Sequence, residues 1–309
     1  MPPGQDSPDK IFLGHLGGVL AVAFSPDSKW IASGGADKTA RVWDVSSGKE
    51  TQTLSGHTEA VTAIVFTQKG DSLLSASADK TIRLWDIASA KELRSFVGHE
   101  GSLTSLAISP DGRWLASGDT EGAVKFWVIE TGHELRSLSG HEGKVTAVAF
   151  SPGGELVASS SVDGTVKLWD VSTGALVRTM ISASEPVLCV AFSPDGKLLA
   201  SSTVGRITLW DVTTGQEVRT FTASIGRITA IMFDHEGSRL GAAGGEYETF
   251  MLGAVELFNL PKGDRPVLIN AHHEDITAFA FSPNGRWFAT GATDRTIKLW
   301  DYDRFKFWE

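Results

Sequence analysis

The sequence predicts an all-β chain: seven small four-stranded antiparallel sheets stacked around an axis. Two observations carry that prediction. An aromatic residue recurs at Trp43, Trp85, Trp127, Trp169, Trp210, Phe258 and Trp300, with gaps of 42, 42, 42, 41, 48 and 42 residues. A fixed period of this size marks a repeat architecture. Turn residues recur with it, as Ser25-Pro26-Asp27, Ser109-Pro110-Asp111-Gly112, Ser151-Pro152-Gly153-Gly154, Ser193-Pro194-Asp195-Gly196 and Ser282-Pro283-Asn284-Gly285. Proline presets φ at the first corner of such a turn and glycine supplies a positive φ after it.

The second unit shows how each element follows from its residues. Val61 to Phe66 is a short, nearly continuous apolar run, suited to a strand buried on both faces. Gln68-Lys69-Gly70-Asp71 is turn chemistry, and Ser72 to Ser77 forms a second strand ended by Ala78-Asp79-Lys80. Thr81-Ile82-Arg83-Leu84-Trp85 alternates polar and apolar residues, as a half-exposed third strand does. Ala88 to Lys91 then turns into a more polar fourth strand, Glu92 to Phe96. A sheet this small must bury its apolar faces on neighbours, and stacking around an axis leaves only short, protected edges.

Composition narrows the function classes. Hydrophobic content of 41% and charged content of 21% describe a soluble globular protein. Twenty-eight Lys and Arg against 37 Asp and Glu leave a net charge of −9. That balance lacks the basic footprint needed for sequence-independent nucleic-acid binding and gives no support for docking on an anionic membrane. The single cysteine, Cys189, sits in an apolar run, which excludes an internal disulfide or a cysteine-built metal site. Neither a signal peptide nor an apolar stretch near 18 residues is legible, so a cytoplasmic location is expected. The repeats divide the chain into a flexible tail over 1–8, one repeat domain over 9–301 and an aromatic tail over 302–309.

The repeated pairs resemble the WD-repeat family of β-propellers. Gly-His occurs at Gly14-His15, Gly56-His57, Gly98-His99 and Gly140-His141. Trp-Asp occurs at Trp43-Asp44, Trp85-Asp86, Trp169-Asp170, Trp210-Asp211 and Trp300-Asp301, with turn aspartates at Asp37, Asp79, Asp163 and Asp294. The resemblance implies a seven-bladed propeller closed by a strand from the opposite terminus. Lys10 to Leu13 matches an outer fourth strand and is expected to complete the last blade, with the tail from Tyr302 to Glu309 as a rival for that edge.

Each regular unit would bring a serine, a histidine and an aspartate together, which invites comparison with a hydrolase triad. Catalysis needs one exposed nucleophile beside an oxyanion hole, whereas this set recurs in unit after unit beside a tryptophan. In the family such sets are structural tetrads. The resemblance carries that role onto His15, Ser33, Asp37 and Trp43; His57, Ser75, Asp79 and Trp85; His141, Ser159, Asp163 and Trp169; and His272, Thr290, Asp294 and Trp300. No metal site, cofactor or phosphate-binding loop is expected.

The rhythm fails in units five and six. Ser182-Ala183 and Ala223-Ser224 fill the Gly-His slot, and Val204-Gly205 replaces the turn aspartate of unit five. Unit six carries about six extra residues between Gly244 and Gly253, with Phe258-Asn259 for Trp-Asp. Unit three departs less, with Glu121 in the aspartate slot and Trp127-Val128. These departures share the rim that the family calls the top face. Residues after each Gly-His slot (Glu59, Glu100, Lys144, Glu185, Arg227, His273, Glu274 and Asp275) are expected at the channel mouth, as a mixed but mainly acidic set. With Tyr247, Phe250 and Met251 of the insertion, Arg227, Glu185, Lys144, His273 and Asp275 form the expected partner-binding surface. The expected function is a non-catalytic scaffold that binds a protein or peptide there. The alternatives are a sensor or assembly domain of a larger multidomain protein, and an enzyme working at the channel mouth.

Overall fold

The computed structural model describes residues 7–181, 185–245, 253–261 and 266–305. Strand follows strand through the described residues, and among them the one helical element is a 3-10 turn, Tyr302–Phe305. The first four units each form a four-stranded antiparallel sheet, the first running Val19–Phe24, Trp30–Gly35, Thr39–Asp44 and Glu50–Ser55. The sheets pack face to face around a channel lined by their innermost strands.

The sheet count corrects the expectation of seven separate blades: the structure is a propeller of six sheets, five four-stranded and one six-stranded. Units five and six are fused. Strand Leu198–Asp211 runs through the place where a turn aspartate would divide unit five, and Glu217–Phe233 runs through the place where a Gly-His pair would divide the two units. Without those breakers the backbone keeps its ladder, and Val204 pairs with Arg227, which pairs in turn with Gly245. The chain still reverses within Leu198–Asp211, at Gly205 with φ of 64°, because Trp210 Nε1 reaches Ser201 Oγ at 2.8 Å. The fused sheet thus sends two strands to the channel, Cys189–Phe192 and part of Glu217–Phe233.

Glycine sets the spacing between sheets. A Cβ on Gly34 would stand 2.6 Å from Val61 Cγ1 of the next sheet, and one on Gly291 would stand 2.6 Å from Val19 Cγ1. The second of these contacts joins the last sheet to the first. There, strand Lys10–Leu13 pairs antiparallel with Thr296–Asp301 at the outer edge, from Lys10 opposite Leu299 to Leu13 opposite Thr296. Phe12 is buried and lies edge-on to Trp43 at 5.9 Å. The aromatics after Asp301 pack elsewhere. Tyr302 and Phe305 join a buried cluster with Phe281 and Phe288, and the Tyr302 hydroxyl donates to Asp234 at 3.2 Å. Phe307 and Trp308 lie outside the described residues.

A second seam lies at the channel. Inner strands carry a β-bulge near their start, at Val61/Ala63, Leu103/Ser105 and Val145/Ala147 among others. A bulge re-aims a side chain. Here the residue it redirects is a threonine whose hydroxyl donates to the first inner-strand carbonyl of the next sheet: Thr62 to Leu103 at 2.8 Å, Thr104 to Val145 at 2.7 Å, Thr146 to Val187 at 2.8 Å and Thr229 to Ile276 at 2.6 Å. Thr277 donates to Val19 and joins the last sheet to the first. Leu20 and Leu188 occupy the same position without a hydroxyl.

Candidate functional site

The top rim is built from the loops that hold the histidines. In the second unit His57 Nδ1 meets Asp79 Oδ2 at 2.8 Å, His57 Nε2 meets Ser75 Oγ at 2.8 Å, and Trp85 Nε1 donates to Ser75 Oγ at 2.8 Å. The geometry repeats at His15, Asp37, Ser33 and Trp43, at His141, Asp163, Ser159 and Trp169, and at His272, Asp294, Thr290 and Trp300. Burial holds His57 below its usual pKa although Asp79 pulls the other way, so the ring is neutral at pH 7. Burial alone would raise Asp79, but hydrogen bonds from Thr81, His57 and Thr58 outweigh it and hold the carboxyl at about 2. The serine accepts from tryptophan and donates to histidine, and Ser33, Ser75 and Ser159 are fully buried. A nucleophile so enclosed meets no substrate. The sets brace loops.

Unit three contains a set that the repeat pattern does not expose. Asp119, two positions before the usual turn slot, receives His99 Nδ1 at 2.7 Å, while His99 Nε2 meets Ser117 at 2.6 Å and Trp127 donates to Ser117 at 2.8 Å. Glu121, which occupies the slot, contributes its backbone N–H to Asp119 at 3.0 Å. The legible signal was an aspartate directly after Ser117-Gly118, where other units have a small residue.

Units five and six lack such a set. Trp210 and Ser201 keep their bond without a histidine, and the Thr203 hydroxyl is buried with no hydrogen-bond partner among the described residues. In unit six the buried Glu256 stands where Arg41 and Arg83 stand in regular units, and it accepts from the Ser224 backbone N–H at 3.0 Å and from the Ser224 hydroxyl. Burial raises its pKa against those hydrogen bonds. Sequence reasoning passed over Glu256 because its neighbours alternate as in any third strand.

A cavity of about 370 Å³ opens at the top mouth of the channel, lined by Ser102, Thr104, Thr120, Lys144, Thr146, Arg227 and Thr229 among others. Among the described residues Lys144 and Arg227 are its charged residues, so this lining differs from the mainly acidic set expected from the loop positions. Glu185, His273, Glu274 and Asp275 are exposed but do not line it, and Glu59 faces Lys38 at 3.6 Å. Tyr247, Phe250 and Met251 lie outside the described residues, as do Ser182 and Ala183. At the opposite rim a wider cavity of about 580 Å³ is framed by Pro110, Pro152, Pro194, Phe150, Phe192 and Phe233. Among the described residues no group of three or more His, Cys, Asp or Glu is placed to hold a metal ion, and no helix is long and apolar enough to cross a membrane.

The profile of the WD domain, G-beta repeat, matches residues 7–44, 48–86, 90–128, 132–170, 174–211 and 265–301, which is most of the chain. The chain belongs to the WD-repeat family. The segment without a match lies between 211 and 265, where unit six carries its insertion and Phe258. WD-repeat propellers are in general non-catalytic scaffolds, in keeping with tetrads whose hydroxyls are enclosed.

Curated relatives include "Protein pleiotropic regulator PRL2" of Arabidopsis thaliana, 44% identical over 46 residues, or 15% of this chain and 10% of that protein. "Pre-mRNA-splicing factor PRP46" of Yarrowia lipolytica is 42% identical over 45 residues, 15% of this chain and 10% of that protein. "Ribosome biogenesis protein BOP1 homolog" of Monosiga brevicollis is 35% identical over 49 residues, 16% of this chain and 6% of that protein. The chain spans a tenth or less of the length of these relatives, and each match is about one WD repeat long. The cytoplasmic expectation is contradicted by these names: they are splicing and ribosome-biogenesis proteins, and for those proteins the names point to the nucleus rather than the cytoplasm.

Proposed function

We propose that the chain is a non-catalytic scaffold that binds a protein or peptide through its top face and channel mouth. The observation that carries this reading is the contrast on one rim. The Ser-His-Asp sets are internal and mutually hydrogen-bonded, whereas the top mouth offers an open cavity with Lys144 and Arg227 on its wall. Recognition loops carried on a rigid frame are the usual arrangement in binding proteins. The irregular units five and six supply part of that rim, and Arg227 belongs to them. Residues 9–301 form the scaffold on this reading, with 1–8 and 302–309 as the terminal segments, of which Tyr302 and Phe305 pack onto the last sheet. A net charge of −9 favours a protein over a nucleic acid as the direct partner. The names of the relatives supply no partner for this chain, because the shared stretch is one repeat long.

The test is retention of a partner from native extract by the immobilised chain, with Arg227→Ala and a deletion of 246–251 as the two variants. Loss of the partner in either variant supports the top face. Retention at wild-type level in both contradicts it.

A further inference from the structure

We propose that the cavity walled by Lys144 and Arg227 takes an anionic side chain, a carboxylate or a phosphate, presented by a peptide segment of the partner. This deepens the scaffold reading and rests on it. Several cations on the sheets and on this rim are paired, whereas Lys80, Arg206 and Arg295 of the rim turns have no side-chain partner among the described residues and do not line the cavity. Arg41 is bonded to Glu50 at 2.7 Å, Arg83 to Glu92 at 2.5 Å and Lys125 to Glu134 at 2.8 Å, while Lys38 donates to the Thr58 carbonyl at 2.6 Å. Lys144 and Arg227 are exposed and have no side-chain hydrogen bond or ion pair with any described residue. They nevertheless line one concavity, and among the described residues no aspartate or glutamate lines it with them.

Three physical consequences follow. A walled depression with charge of one sign focuses the field and gathers counter-ions. Hydrogen bonds from a guanidinium or ammonium to an oxyanion are stronger than neutral ones, and the guanidinium can grip two oxygens at once. The lining hydroxyls of Thr104, Thr146 and Thr229 already donate to carbonyls of the adjacent sheet, so the two cations are the charged donors facing an incoming group. The surrounding rim narrows the choice. Glu185, Glu274 and Asp275 stand exposed before the neighbouring inner strands, where they repel a segment that is acidic along its length. A single anionic residue flanked by neutral or basic ones fits both the centre and the rim, which is specificity by attraction and repulsion together.

The test uses fluorescently labelled peptide pools with degenerate neutral and basic flanks and a fixed central residue: glutamate, phosphoserine or glutamine. Anisotropy titration of the full chain at low salt is expected to favour the glutamate or phosphoserine pool over the glutamine pool by about tenfold, an advantage that shrinks as salt screens the charges. Arg227→Ala and Lys144→Ala are each expected to remove most of that advantage, while Lys38→Ala keeps it. Circular dichroism verifies that each exposed-site variant is folded. Selective binding of the phosphoserine pool alone assigns the site to phosphate, and equal binding of both anionic pools assigns it to either oxyanion. A glutamine pool that binds equally well and is lost in Arg227→Ala overturns the anion assignment while leaving the top-face reading in place. Pools that bind equally to wild type and both variants overturn the two readings together.

Discussion

At the scale of the residue, the most informative position is Asp119. It bonds to His99 at 2.7 Å and takes backbone N–H groups from Glu121 and Ala123. Asp119→Ala removes a buried acceptor and strands its donors, so it should destabilise the fold by about 1–3 kcal/mol, against less than about 0.5 kcal/mol for Glu121→Ala. Chemical denaturation of the two variants checks this. A family pattern read along the chain points to Glu121, and the folded strand points to Asp119, because distance rather than register decides a hydrogen bond. The bracing histidines also set a pH dependence. His15, His57, His99, His141 and His272 are all lowered from 6.5, chiefly by burial, so the unfolded chain binds more protons than the folded one in mild acid. Stability should therefore be full above pH 6.5 and fall as the pH drops below it, with a further loss from 3.8 towards 2 as carboxyls such as Asp79 and Asp163 are protonated. Melting temperatures are expected to be level from pH 7.5 to about 6.5 and to decline from there to pH 3. Glu256 has the opposite sign. Its folded pKa is raised from 4.5 by burial, so its contribution is present below that value and lost as the pH rises through the folded value. Glu256→Gln keeps an acceptor for the Ser224 N–H and should raise the denaturation midpoint at pH 7 while leaving it unchanged at pH 4.

At the scale of the element, the strands were largely legible because their causes are local. Apolar runs such as Val61 to Phe66 and the Ser-Pro turns specify strand and corner with no reference to the rest of the chain. The fusion of units five and six was not legible in the same way. The missing breakers at Val204-Gly205 and Ala223-Ser224 could be read, but whether a ladder continues past them depends on which strand lies alongside. The edge strand Lys10–Leu13 was readable by analogy with Thr51-Gln52-Thr53-Leu54, and its anchor is Phe12, buried against Trp43 and the last sheet. Phe12→Ala should cost about 3–5 kcal/mol, as truncations of buried aromatics do. Deleting residues 1–13 should lower the melting temperature at least as far. A variant as stable as the wild type in either case would mean that the edge strand contributes nothing to holding the ring.

At the scale of the whole molecule, the repeats explain why so much suggestive chemistry is structural. Serine, histidine and aspartate recur because every regular sheet needs its loops tied down, and the ties turn inward. What remains outward at the top mouth is set by the residues after each histidine slot, and those follow no period: Glu59, Lys144, Glu185 and Arg227 differ from sheet to sheet. Position on the rim could be read from the sequence, whereas which of these residues enter the cavity depends on side-chain directions that only the assembled ring fixes. Lys144 and Arg227 do so and Glu185 does not. The opposite rim, with its proline-framed cavity, is the natural control surface. The central claim is that partners are held at the top mouth, and amide hydrogen exchange of the chain with and without its captured partner tests it most directly. Protection confined to the segments around Lys144 and Arg227 and the loop at 273–275 is the predicted result. Protection confined to the Ser-Pro turns around Pro110, Pro152 and Pro194 would contradict it.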